Sequence, residues 1–195
     1  MDFGKIIKLV QGIILKPKET FESIKGEKTP WTNLFINYVL ILIALPAIGN
    51  FLVWVRWSVS WAIRSLIMQI ILAGVSFIVL TYLMQILSKS FGGNGDLDQS
   101  AKTIAYSLTP SWIANLFIFI PFLGWLIALA GAIYSLIVLY HAILVFMDVP
   151  KDKSIGFEII FIIVSIVVMV VVGLILTPIF GLSMVGGRHM MNIGF

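Results

Sequence analysis

The sequence contains no cysteine. Disulfides, thiol catalysis and cysteine metal sites are thereby excluded. Charge is also scarce: 11% of residues are charged, where a soluble domain carries about 25%. With 60% of the 195 residues hydrophobic, too few charges remain to build a water-facing surface. What is present instead is a set of long uncharged runs. The composition describes an all-α membrane protein of one domain, not a soluble enzyme.

The small excess of positive charge, +4 at neutral pH, does not describe a nucleic-acid binder. Six of the thirteen basic residues fall within the first 28 positions, and the others flank apolar runs. Lysines placed this way meet anionic lipid headgroups or set topology. The opening residues lack the order of a secretory signal, because Lys5, Lys8 and Lys16 interrupt the apolar positions. The segment is expected to be retained.

A bilayer core of about 30 Å needs about 20 apolar helical residues, and a charge near its centre costs roughly 2.5–3.5 kcal/mol on insertion scales. Uncharged runs therefore locate the spans. They cover 29–55, 65–88, 103–147 and 159–187. The third is too long for one helix and suits two. Pro121 with Gly124 three residues later marks a tight hairpin at its centre. Five spans are expected, at about 31–55, 65–88, 104–120, 124–147 and 158–183, within a membrane domain of 29–187. Pro110 lies within the third, whose start is expected to be kinked or interfacial. Residues 1–28 form a cytoplasmic segment and 188–195 a short external tail. With the N-terminus inside, ten Lys and Arg fall on the cytoplasmic side and three outside, the bias expected of a cytoplasmic N-terminus.

In the N-terminal segment, Phe3, Ile6, Ile7, Val10, Ile13 and Ile14 repeat at helical spacing, opposite Lys5, Lys8 and Lys16. This predicts an amphipathic helix lying on the membrane surface, with anionic headgroups on its lysines. Pro17 ends it and opens a second helix, which Gly26 stops.

Chemistry inside a membrane rests on polar side chains. Those in the spans are Asn37, Gln69, Gln85, Asn115 and His141, and the uncharged runs hold no acid. An ion-coupled transporter usually places a carboxylate near the midplane, so these residues are expected to tie helices together. No second ligand stands at helical spacing from His141, so no metal or other cofactor is implied. No nucleophile, base and orienter fall into a catalytic arrangement. The stretch Phe91-Gly92-Gly93-Asn94-Gly95-Asp96-Leu97-Asp98 lacks the Lys-Ser/Thr of a P-loop and the closing Glu of a calcium loop. It reads as a glycine turn with Asp96 or Asp98 capping the next helix.

Gly124, Ala128 and Ala132 recur every four residues, with Gly131 and Ser135 beside them. Small residues let membrane helices approach, so this stripe is expected to be the seam of the 104–147 hairpin, or else a homodimer face. Ala128→Leu should then disrupt more than Ala142→Leu. A hydrogen bond from Tyr106 or Ser107 to the end of the fourth span would lock the cytoplasmic side.

Three stretches resemble one family. Pro17-Lys18-Glu19-Thr20-Phe21-Glu22-Ser23-Ile24 is similar to its P-x-x-T-F-x-x-I entry. Gly92-Gly93 followed by Ala105-Tyr106-Ser107-Leu108-Thr109-Pro110 is similar to its third-span signature. Leu139-Tyr140-His141-Ala142 leading into Val149-Pro150-Lys151 is similar to the end of its fourth span. The chain resembles the Yip family, integral membrane proteins named for interaction with Ypt/Rab-type GTPases, and within it the prokaryotic branch. The resemblance implies five transmembrane helices, a cytoplasmic N-terminus and a place in a prokaryotic plasma membrane. The function expected is a non-enzymatic scaffold with a membrane-protein partner or a second copy. The alternative is a small transporter, channel or lipid-translocating protein, with the in-span polar residues lining a path.

Overall fold

A computed structural model describes residues 3–191, with side chains described as far as Leu174. Its described residues are helical, with no strand among them. Two amphipathic helices come first, α1 (Phe3–Leu15) and α2 (Pro17–Ile24). Pro17 occupies the first turn of α2, where its missing N–H has no helical partner to lose. Helix α3 runs over Trp31–Trp54 with a wider π turn at Phe35–Val39 and Pro46 inside it. Helix α4 is Val59–Ser90, α5 is Leu97–Asn115, α6 is Leu123–Phe146 and α7 is Lys151–Met191. A 3-10 turn, Leu116–Phe119, closes the hairpin between α5 and α6.

Four of these helices are long and apolar enough to cross a membrane: α3, α4, α6 and the Lys151–Leu174 part of α7. Helix α5, which carries the expected 104–120 span, is not one of the four. The reason is its position. Twelve of its nineteen residues are buried, so protein rather than lipid surrounds it, and it can carry Ser100, Thr103, Ser107 and Thr109 without exposing them to hydrocarbon. Helix α4 is its opposite: only 17% of its most apolar window is buried, and Ile63, Ile67, Ile71 and Ile86 point outward.

The chain divides into two compact units, Met1–Glu158 and Ile159–Phe195. The first holds α1 to α6 and the start of α7. In the second the α7 backbone stays helical through Met191, so the tail expected from residue 188 begins inside a helix. Residues 192–195 and the side chains of Arg188 and His189 lie outside the described residues.

Candidate functional site

The hairpin of α5 and α6 is the axis of the first unit. Its turn is tight: Phe122 takes a positive φ of 63°, and a Cβ on Gly124 would run into the Phe117 carbonyl. Of the two neighbouring small-residue lines, the seam follows Gly131 and Ser135, with Gly124 at its turn end. Ala132 is exposed and Ala128 only half-buried. The close approach falls at Gly131, where a Cβ would collide with that of Ala114 and stand 3.1 Å from the Pro110 carbonyl oxygen. From there the buried line passes through Ser135, Val138, Leu139 and Ala142. A strict four-residue repeat drifts around a helix of 3.6 residues per turn. Mixed steps of three and four stay on one face, which is why Ala132 turns away.

Pro110 has no N–H to offer the Tyr106 carbonyl and its ring crowds that carbonyl. The next amide reaches across the seam, the Ser111 N–H donating to Ser135 Oγ at 3.0 Å. The turn after Pro110 is thus tied to a hydroxyl on α6.

At the end of this hairpin away from its turn, the family-motif residues Phe21 and Tyr106 meet. Phe21, from α2, lies between α5 and α6, stacked on Tyr106 with ring centroids 6.1 Å apart and tilted on Phe146 at 5.2 Å. Tyr106 also meets Phe146 at 5.9 Å and takes Tyr38 of α3 edge-on at 5.3 Å. All four rings are buried. Beneath them the Tyr38 hydroxyl and Thr109 Oγ1 share a hydrogen bond of 2.7 Å. Because Thr109 Oγ1 donates its one hydrogen to the Ala105 carbonyl at 2.9 Å, Tyr38 is the donor. The expected bond from Tyr106 or Ser107 to the end of α6 does not form. Ser107 Oγ turns back to the Ile104 carbonyl, and Tyr106 meets Phe146 through its ring.

The Gly92–Gly93 turn supplies what those hydroxyls do not. The last carbonyls of a helix have no partner within it. Here the Asn94 N–H donates to the Met147 carbonyl at 3.0 Å, and Asn94 Nδ2 donates to the Phe146 carbonyl at 2.8 Å and to Asp148 Oδ2 at 3.2 Å. Gly93 is required for this approach, since a Cβ would stand 2.7 Å from the Met147 carbonyl oxygen. Lys25 at the end of α2 pairs with Asp148 at 2.9 Å. Asp96 caps α5 through the Gln99 N–H at 2.8 Å, as expected. Asp98 reaches sideways and accepts from the Trp31 N–H at 2.7 Å, capping α3 instead. One turn on, Lys102 is buried and its ammonium donates to the Glu27 carbonyl. Burial pushes this lysine below its ordinary value of 10.5, while Glu27, Asp98 and Asp96 pull the other way.

Of the family-motif residues, Phe21 and Tyr106 meet in this knot, Ala105, Ser107 and Pro110 are buried beside Tyr106 on α5, Gly93 packs against the end of α6, Pro17 opens α2 and Gly92 turns the chain at a positive φ of 82°. The in-span polar residues are not brought together. Asn37, Asn115 and His141 each bond to the carbonyl four residues back in their own helix, and Gln69 and Gln85 are half-buried on α4. Among the described residues none of them makes a hydrogen bond to another helix. Tertiary polar contacts come instead from residues that include Tyr38, Thr109, Asn94, Asp98, Lys102 and Ser135. Tyrosine counts as apolar in a hydropathy reading although its hydroxyl needs a partner when buried, and that need was the available signal for Tyr38. Among the described residues no group of three or more His, Asp or Glu is placed to hold a metal ion.

The N-terminal helices are bound to this unit. Ile6 and Ile13 of α1 are buried, and the Tyr134 hydroxyl of α6 donates to the Ile14 carbonyl at 2.7 Å. Phe3, Ile7 and Leu15 remain exposed, so the apolar face of α1 is shared between protein and surroundings.

Long apolar helices around a polar-knotted hairpin define a helical membrane protein. The chain belongs to the Yip1 domain family, whose pattern matches residues 12–185. That stretch begins inside α1 and takes in the whole knot. Comparison with curated proteins and with solved structures gives no match in either set.

Proposed function

We propose that this protein is a non-enzymatic scaffold of a prokaryotic plasma membrane, with five crossings, a cytoplasmic N-terminus and an external C-terminus. The observation that carries the scaffold reading is the burial of the family-motif residues Phe21 and Tyr106 in a ring cluster that joins α2, α3, α5 and α6. Motif positions of this kind fix how α2, α3, α5 and α6 meet, and the surfaces they hold in place do the work through a membrane-protein partner or a second copy.

In this reading α5 is the fifth crossing, sheltered by its neighbours. The ten-to-three excess of Lys and Arg on the knot's side orients the chain. The exposed half of the α1 stripe, with Lys5 and Lys8 beside it, lies on the anionic inner leaflet.

Reporter fusions within 90–100 and after Phe195 test the topology: opposite compartments are expected, and a shared compartment overturns five crossings. Reconstitution in sealed vesicles tests the scaffold role. Movement of solute or lipid above that of empty vesicles would replace it with the translocation reading.

A further inference from the structure

The hairpin turn and the α3–α4 connection form the end of the first unit remote from the knot, and a hollow of about 350 Å³ opens there. Val53, Arg56, Trp57, Ile118, Phe119 and Pro121 line it. Five of these six are apolar and the sixth is a cation. Arg56 is exposed and forms no ion pair among the described residues. The sequence gives it no local acid either: Asp and Glu are absent between Glu27 and Asp96, and again between Asp98 and Asp148. The two segments that build this end therefore carry Arg56 and Arg64 with nothing to neutralise them.

The surrounding rings fix the level of the site. Trp57 is 84% exposed and Phe122 80%, while Trp54 packs edge-on to Trp61 at 6.2 Å and bonds Asn50 at 2.9 Å. Exposed tryptophans at the end of an apolar helix belong at the headgroup boundary. A guanidinium there can bind a phosphate through two parallel N–H donors.

We infer that this hollow binds an anionic glycerophospholipid, its phosphate on Arg56 and its first acyl carbons against Val53, Ile118 and Phe119. The apolar walls select against a free phosphate, which would leave them empty. The unneutralised arginine selects against a wholly neutral amphiphile. The site is separate from the lysines of α1, and it does not depend on which way the chain faces.

Native mass spectrometry of the full chain in neutral detergent provides the test, with phosphatidylglycerol, phosphatidylcholine and soluble glycerol phosphate as probes. Phosphatidylglycerol should bind best. Arg56→Gln should weaken it about tenfold, the loss of one charge-assisted contact, and Arg56→Lys should weaken it less. Ile118→Trp, which fills the hollow but keeps the charge, should also lower binding while the melting temperature in detergent holds. Lys5→Gln with Lys8→Gln should leave this binding unchanged. Retention of phosphatidylglycerol by Arg56→Gln overturns the inference. Equal competition by glycerol phosphate overturns it too, as does a co-purifying acidic protein on Arg56 in place of lipid.

Discussion

Phe21 and Tyr106 stand 85 positions apart in the sequence and stack with an interplanar angle of 18° in the fold. One belongs to the short helix ahead of the first span, the other to the buried hairpin. Their contact fastens the N-terminal arm to the bundle, and Lys25 with Asp148 fastens its far end.

The aromatic contact should dominate. Phe21 is buried, whereas the Lys25–Asp148 pair is half-exposed, and exposed pairs contribute about 0–1 kcal/mol. Truncating a buried Phe costs about 3–5 kcal/mol. Phe21→Ala should therefore release α2 and open the 25–30 linker to trypsin in native membranes. Lys25→Met removes one tryptic site but should leave Lys28 as protected as in the wild type. Equal protection of Lys28 in Phe21→Ala and the wild type would show that α2 is held elsewhere.

The hairpin seam makes a second prediction, opposite to the one the small-residue stripe suggests. Ala142 is fully buried, Ala128 is half-buried and Ala132 is exposed. Overfilling a packed site typically costs about 1–3 kcal/mol. In detergent, Ala142→Leu should melt lowest, Ala128→Leu next and Ala132→Leu near the wild type. Gly131→Leu should be worse than all three, because even a Cβ collides there. The reverse order for Ala142 and Ala132 would place the seam on the original stripe.

The sequence made four long apolar helices readable because lipid imposes a rule on every residue at once: little charge, and some twenty positions in a row. The hairpin turn, the proline at the head of α2 and the Asp96 cap were readable for a similar reason, since each is local backbone chemistry. Which of the two neighbouring small-residue lines packs, and the knot, were not. Gly131 rather than Ala132 faces α5 because of how two helices cross, and no repeat within one helix encodes that angle. Asp98 and Asn94 read as turn residues because their partners, Trp31 and Phe146, are far away in the chain. The family motif marked Phe21 and Tyr106 without showing that they touch.

Lys102 gives a pH signature. Its folded value lies below its ordinary 10.5 because burial disfavours the ammonium. The unfolded chain therefore holds more protons in the window just below 10.5, and folding stability rises with pH there. Lys102→Met removes this titrating group, along with its bond to the Glu27 carbonyl. The melting temperature of the wild type should climb relative to Lys102→Met as the pH rises toward 10.5. Parallel curves would mean that the lysine titrates alike in both states.

Tyr38 and Thr109 allow a test of the knot at the level of a single hydrogen. Thr109 Oγ1 donates to the Ala105 carbonyl and accepts from the Tyr38 hydroxyl. The two partners are therefore not equivalent. Tyr38→Phe removes a donor but leaves the Thr109 hydrogen committed, so it should cost only about 1 kcal/mol. Thr109→Val strands the Tyr38 hydroxyl in a site with no water access, which should cost about 1–3 kcal/mol. Replacing both removes the stranded group, and the double variant should be no less stable than Thr109→Val alone. Melting temperatures of the three variants in one detergent decide it. If Tyr38→Phe is the more damaging single change, the hydrogen lies the other way and Thr109 is the donor to Tyr38.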